Sequence, residues 1–440
     1  MSLGGQMFGL RVANLLPAFT LSSCLSRMSR LACFRMGICH PIPQRNCGRF
    51  SRPSLIPPRE RTALSLGANG ERSRGCVSSN FWGKVEARFE VGEGRGVRWG
   101  MSKKAYRVAV VGVTGAVGQE ILRVLERRKF PVSELVPLAS ERSAGTEVEF
   151  AGKKVKVRKL EAVAFAGVEV AFFSAGATRS REFIPIARKA GAVVVDNSSA
   201  FRMNPEVPLV VPEVNGDLLD GRPGLIANPN CSAAILAVVL GPLHRAAGLE
   251  SVVVATYQSA SGAGAKAMAE LDQQVRDYAA GKELKAEIFP HVLAFNLFSH
   301  NSPVGEDGYN EEEQKMVEET RKIFALPKLR MVPTCVRVPV PRAHSEAVVA
   351  RFSKAISAKE ARELLSKAAG VRVIDEPAKN LYPMPRDATG ELEVLVGRIR
   401  EVEGDPQSLA FFVSGDQLLK GAAWNAVQIA EALARRGFLG

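Results

Sequence analysis

The run RVAVVGVTGAVGQEILRVLERR, beginning at Arg107, limits what this chain can fold into more than any other part of it. A short apolar strand (Arg107–Val111) meets a turn carrying Gly112, Gly115 and Gly118, and a helix follows with Ile121, Leu122 and Leu125 on one face. Glycines at such a turn let the backbone approach a pyrophosphate closely, and the phosphates then rest on the N–H groups of the helix start. A glycine turn alone is weak evidence; this one has the right strand and helix on either side. Downstream, Leu135–Ser140, Val168–Ser174, Ala192–Asp196 and Leu225–Ala227 read as further strands, separated by helical stretches such as Arg179–Lys189. That alternation predicts an α/β fold with a parallel, doubly wound sheet, whose ligands lie beyond the carboxyl ends of its strands.

The last of these strands leads into the stretch on which the chemistry centres, LIANPNCSAAILAVVL (Leu225–Leu240). The apolar run stops at Pro229 and an Ala-rich run of helical length starts at Cys231. Unpaired N–H groups and the positive dipole end at a helix start favour thiolate over thiol. A free cysteine is more often a small buried hydrophobe, but Asn228, Asn230 and Ser232 make these surroundings polar. Cys231 is therefore the candidate nucleophile.

Composition separates a leader from the rest. The chain has 440 residues and a formal charge of +14, yet residues 1–100 hold 15 Lys+Arg against 5 Asp+Glu, so most of the excess lies there. The balance beyond residue 100 gives no reason to expect a nucleic-acid partner. Residues 1–58 contain seven Arg, no Lys and no acidic residue, with no sustained periodicity, as in an organelle transit peptide. Five of the seven cysteines (Cys24, Cys33, Cys39, Cys47, Cys76) fall in residues 1–100, leaving Cys231 and Cys335, so neither a disulfide framework nor a metal site is expected. No apolar run reaches transmembrane length, and no membrane partner is expected.

After the Cys231 helix the order changes. Ser251–Gln258, Arg330–Val340, Ala347–Phe352, Glu391–Arg400 and Ser408–Val413 read as strands, Ala263–Ala280 and Asn310–Ile323 as helices, and few βαβ units can be made from them. A second, α+β domain is expected, with a final helix over Gly421–Arg436. At the end of the second strand, Arg142 between Ser140 and Ser143 suits a 2′-phosphate and favours NADP, although Glu141 beside it is the kind of residue that meets a ribose hydroxyl.

GVTGAVG, SAFR after DNS, ANPNCSA, YQSASGAG, EEEQKM, RVPVPRAHSE and GDQLLKGAAWNAVQIAE follow one another in the chain. Together they resemble the aspartate-β-semialdehyde dehydrogenase family from about Arg107 to the C-terminus. The resemblance implies a Rossmann-type NADP-binding domain (104–232) completed by a C-terminal helix (413–440), with an inserted substrate and dimerisation domain (233–412). It implies NADPH-dependent reduction of aspartyl phosphate to aspartate semialdehyde, with release of phosphate, in lysine, threonine and methionine biosynthesis, by a homodimer or homotetramer. That pathway favours the plastid stroma over the mitochondrial matrix. Cys231 would be the nucleophile, His344 the acid/base and Gln258 the group aligning the acyl carbonyl. Arg337 would clamp the α-carboxylate and Arg202 and Lys315 the phosphate, while Glu312 meets the amino group or orients Lys315. Gly112, Thr114, Gly115, Ala116 and Val117 would form the pyrophosphate turn, with Arg142 and Ser143 at the 2′-phosphate. Ser174 and Gly176 would lie along the dinucleotide, and Gly262 and Asn425 near the nicotinamide. Where many members have glycine before the histidine, this chain has Ala343. His244, His291 and His300 read as structural, and Cys335 as buried and inert.

Three other readings are open. N-acetyl-γ-glutamyl-phosphate reductase shares the acyl-phosphate and cysteine logic, but its acylated amine needs no charged partner such as Glu312. A short-chain dehydrogenase is suggested by Tyr278 and Lys282, a YxxxK pair with Gly281 inside it and no serine at the usual interval upstream. A non-catalytic NADPH-binding protein would have no use for both Cys231 and His344.

Overall fold

The computed structural model describes residues 104–439, and the leader expected over 1–100 lies outside them. The chain runs through β1 (Tyr106–Val111), α1 (Ala116–Arg127), β2 (Val132–Ala139), a hairpin of β3 (Glu147–Phe150) and β4 (Lys153–Lys156), and β5 (Arg158–Lys159). It continues through β6 (Val170–Phe173), α2 (Ala177–Lys189), β7 (Val193–Asp196), α3 (Pro212–Asn215), β8 (Leu225–Ala227) and α4 (Cys231–Ala247). Six of these strands form a parallel sheet in the order β5-β2-β1-β6-β7-β8. That is the doubly wound dinucleotide-binding order, with the reversal between β1 and β6. The β3–β4 hairpin and the short edge strand β5 carry no sequence signal that marked them in advance.

The second half supplies β9 (Leu249–Gln258), α5 (Ala265–Ala279), β10 (Phe298–Ser299), α6 (Glu311–Ile323), β11 (Arg330–Arg337) and β12 (His344–Phe352). After these come α7 (Ala358–Ser366), β13 (Val371–Val373), α8 (Pro385–Ala388), β14 (Val394–Val402), β15 (Asp405–Gly415) and α9 (Trp424–Arg435). Its seven-stranded sheet has the order β10-β11-β9-β12-β15-β14-β13 and mixes parallel and antiparallel neighbours. Alternation decides which way its residues face: Val252, Val254, Thr256 and Gln258 of β9 are buried, while Val253 and Tyr257 point outward.

α4 joins the two halves. It is apolar nearly all round because it packs in one core with Phe173 and Val194 of the first sheet and Val254, Val348 and Phe411 of the second. The C-terminal helix returns to the first sheet: Ala426, Val427, Ile429, Ala430 and Leu433 share a core with Val108, Ile121 and Leu125. Arg128 holds Glu431 at 3.0 Å and lies over the Trp424 ring. The expected helix from Gly421 divides in two, a π-helical turn over Leu419–Ala423 and then α9.

Candidate active site

The carboxyl ends of the first sheet and the strand ends of the second meet at a cavity of about 450 Å³. On the first side, Asp196 ends β7 and folds the next turn, its carboxylate accepting from Ser180 Oγ (2.8 Å) and from the Ser198 N–H (2.9 Å) and Oγ (2.8 Å). That turn delivers Arg202. β8 ends at Ala227, Pro229 breaks it, and the Asn230 side chain caps α4 by accepting from the N–H groups of Ser232 and Ala233. Cys231 is thereby fixed in the first turn of α4. On the second side, the parallel pairing of β9 with β11 sets Gln258 opposite Arg337, and the antiparallel β12 begins beside their ends with His344. α6 closes the site. Its capping box, Asn310 with Glu313, starts the helix so that Glu312 and Lys315 face the cavity.

All seven side chains assigned to chemistry or substrate line this cavity: Cys231, His344, Gln258, Arg202, Glu312, Lys315 and Arg337. Burial pushes the Cys231 thiol up to about 12; Glu312 adds to this, while Arg202, the Ser232 N–H and Arg337 act the other way. The net direction is opposite to the one a helix start alone predicts, because desolvation and a neighbouring carboxylate outweigh the dipole. His344 is fully buried and held well below the usual histidine range by burial, then by Arg337 and His300. The Ser259 N–H donates to its Nδ1 at 3.0 Å, so the neutral ring carries its proton on Nε2, which has no partner within the protein.

Charge is distributed as a zwitterionic phosphate requires. Arg202 donates from Nε to Asn228 O, from Nη1 to Glu319 and from Nη2 to Asn197 O, which leaves one N–H on each terminal nitrogen. Glu312 accepts from the Asn230 amide at 2.8 Å and from Gln258 at 3.4 Å. Burial works against its charge, but the Asn230 amide, Lys315 and the Gln258 amide hold its carboxyl below the usual range. Lys315 sits 2.8 Å from the exposed Glu311 and 4.0 Å from Glu312, so Glu311 is its closer partner.

The cofactor residues divide. Val117, Ser174 and Gly262 line the cavity. Gly112, Thr114, Gly115 and Ala116 form the β1–α1 turn, Gly176 precedes α2 after β6, and Arg142 and Ser143 lie in a short turn after β2. Asn425 lies outside the lining, in the helix that follows Gly421 and Ala422 of the lining. It is fully buried there, where it donates to Val210 O and Asn228 Oδ1 and accepts from Lys420. Through the bond to Asn228, at 2.6 Å, Asn425 steadies the turn that precedes Cys231. Gln417 does line the cavity, and accepts the Ala343 N–H at 2.9 Å. GDQ in the terminal motif was the available signal for it. Ala343 keeps the left-handed turn with φ 72°, a conformation that costs a non-glycine residue about 1 kcal/mol.

Two family models match the chain, "Semialdehyde dehydrogenase, NAD binding domain" over residues 107–221 and "Semialdehyde dehydrogenase, dimerisation domain" over 240–420. An aspartate-semialdehyde dehydrogenase of Synechocystis sp. is 53% identical over 333 residues, covering 76% of this chain and 98% of that protein. The chain belongs to the aspartate-semialdehyde dehydrogenase family. The enzyme of that name from Aquifex aeolicus is 51% identical, with 99% of it covered. Among solved structures, aspartate semialdehyde dehydrogenase II of Vibrio cholerae, complexed with ASA, matches with a TM-score of 0.73 and 42% identity, over 76% of this chain and 99% of that one.

The β1–α1 turn of this family member fits a dinucleotide. Gly112 has φ +84°, and a Cβ there would fall 2.3 Å from Ser174 O. No side chain caps α1, so its first N–H groups stay open to a phosphate. The YxxxK pair is elsewhere: Tyr278 is 62% exposed at the end of α5 with its ring tilted against Phe295, and neither it nor Lys282 lines the cavity. Among the described residues no cluster of potential metal ligands occurs, and no helix is long and apolar enough to cross a membrane.

Proposed function

We propose that this chain catalyses the NADPH-dependent reductive dephosphorylation of L-4-aspartyl phosphate to L-aspartate 4-semialdehyde through a thioester on Cys231. The observation that carries it is the meeting, on one cavity with Cys231, of cations for two anionic groups and a carboxylate for an ammonium. Arg337 takes the α-carboxylate and Glu312 the ammonium, which sets the acyl carbon against Sγ. Sulfur bonds to that carbon as the acyl–oxygen bond breaks; phosphate leaves between Arg202 and Lys315, carrying the thiol proton in the net balance. Gln258, held by Ser232 Oγ at 3.1 Å, steadies the carbonyl. NADPH, when bound on the β1–α1 turn, supplies the hydride that reduces the thioester. His344 presents Nε2–H to the oxygen that gains charge, and the proton taken up ends on the cysteine. A substrate with an acetylated amine has no charge to give Glu312, which favours the aspartyl compound.

The test is phosphate-dependent reduction of NADP by aspartate semialdehyde, with Cys231→Ala as control. Activity that needs phosphate and vanishes in the control is expected; an inactive wild type that still binds NADPH contradicts the reading.

Preference for NADP over NAD is supported by Arg142 and Ser143 and by Lys159, which occupies Glu141 at 2.9 Å; Arg142→Ala should raise KM for NADP and leave that for NAD. A homodimer is supported by the outward face of the second sheet, where Val253 (54% exposed), Val332 (51%), Val349 (39%) and Tyr257 (37%) form an apolar surface; Tyr257→Lys should yield monomers by light scattering. Residues 1–100 we read as a plastid-targeting leader from their composition, and a fluorescent fusion found outside plastids would refute that.

A further inference from the structure

We propose that His300 is a positioning residue that aims the Arg337 guanidinium at the substrate's α-carboxylate, an inference that rests on the function proposed above. His300 lines the cavity and has no place in the chemistry just described. Arg337 is buried at the end of β11. Its Nη1 donates to Ser259 O at 2.7 Å and its Nη2 to His300 Nε2 at 2.9 Å, while Nε has no partner within the protein. A guanidinium only donates, so with Arg337 Nη2 at 2.9 Å the Nε2 of His300 accepts and the ring's proton sits on Nδ1; the Ser302 N–H, 3.3 Å from Nδ1, is then a contact and not a hydrogen bond. Nδ1 faces Ser302 Oγ at 3.1 Å, and the same hydroxyl accepts the Glu312 N–H at 3.2 Å. One ring therefore spans from the carboxylate clamp to the turn that carries the ammonium's partner.

The backbone delivers the ring to this place. β10 pairs with the end of β11, Phe298 opposite Arg337, and the His300 N–H donates to Cys335 O at 2.8 Å. With Ser259 O and His300 each consuming one N–H, the guanidinium plane is fixed and three N–H groups remain, one on each nitrogen. A carboxylate needs two of these in one plane. Without His300 a single anchor is left, and the terminal torsions of the arginine are free to turn that plane away. Phe289, whose ring centroid lies 5.4 Å from the guanidinium carbon, supplies packing but no direction. The charged groups that also bear on the ring are Glu312, Glu313 and Lys315.

The test compares two aldehydes on the full chain: aspartate semialdehyde and 3-aminopropanal, which keeps the amine and aldehyde but lacks the α-carboxylate. His300→Ala should raise KM for aspartate semialdehyde about tenfold with kcat within about threefold of wild type, and leave kcat/KM for 3-aminopropanal unchanged. His300→Gln, whose amide oxygen can accept from Nη2, should recover most of the loss. Unchanged KM in the alanine variant, an equal loss on both aldehydes, or no recovery with glutamine overturns the inference. A wild type that does not turn over aspartate semialdehyde fells the proposed function and this inference together; an active wild type with an indifferent alanine variant fells this inference alone.

Discussion

Gly421 lies in the π-helical turn directly against the nucleophile. A Cβ added there would stand 2.7 Å from Cys231 Cβ, 3.0 Å from Cys231 Cα and 3.3 Å from Cys231 O. Carbon atoms pack at about 3.5–4.0 Å, so the two helix segments must separate by roughly 1 Å. None of the three contact atoms is the end of a flexible chain: Cys231 is in the first turn of α4, and α4 is locked between two sheets. Overpacking of this kind costs about 1–3 kcal/mol. Its larger effect falls on rate, because a displacement of about 1 Å at a reacting atom can lower turnover on the order of a hundredfold. Gly421→Ala should therefore cut kcat for phosphate-dependent NADP reduction by about 30- to 100-fold. NADPH binding, followed by fluorescence, is measured alongside as the check that the variant is folded, because Val117 of the cofactor turn lines the same cavity as Gly421. A kcat within about threefold of wild type in a folded, NADPH-binding variant would refute the claim that the π-turn fixes the sulfur.

Three further outcomes follow from buried charges and the cofactor turn. Glu346 is fully buried on β12, neither of its carboxyl oxygens has a hydrogen-bond partner, and burial holds its carboxyl well above the usual range. A raised native value makes wild type lose stability above the unfolded value as pH rises, so the advantage of Glu346→Gln in chemical denaturation should grow from pH 5 to pH 8; a constant difference would show that the group is not ionisable in this way. Glu319 is the counter-ion of Arg202 at 3.0 Å and accepts the Asn230 N–H at 2.5 Å, both in the interior. Glu319→Gln should cost about 3 kcal/mol by stranding the guanidinium, and phosphate should then raise the melting temperature more than it does in wild type; an equal phosphate shift would argue against Arg202 as the phosphate site. Gly112→Ala, which sets a Cβ against Ser174 O in a left-handed conformation, should weaken NADPH binding in a direct titration.

How much of this the sequence carries depends on how local each signal is. β1, its glycine turn and α1 are legible because their pattern is complete within one short run, and Cys231 at a helix start because Pro229 and Asn230 punctuate that start. The strands that deliver Gln258, Arg337 and His344 are legible as strands; their convergence is set by the pairing β11-β9-β12, which periodicity does not reveal. The direction of the thiol's shift is hidden for the same reason. The helix dipole is local, whereas Glu312 arrives from α6, and the desolvation comes from the whole cavity. Glu319 hides among the charges of an acidic helix, and only its packing against Arg202 sets it apart. His300 read as structural because a lone histidine in a polar loop has no pattern, and its meaning lies in the distance to Arg337. Asn425 sits in a family motif, but its bond to Asn228 depends on the return of α9 to the first sheet, which no local pattern shows. The π-turn breaks no apolar period, so one continuous helix was expected where there are two segments.

The central claim is a covalent aspartyl thioester on Cys231, and its most direct test is mass spectrometry of the protein incubated with aspartyl phosphate and no NADPH. The competing thiol among the described residues, Cys335, is fully buried against Met316 and pushed up by burial. The account predicts one aspartyl group on the peptide carrying Cys231, one equivalent of phosphate released with it, and loss of the adduct when NADPH is added. Phosphate released with no adduct on Cys231, or an adduct on Cys335, would contradict it.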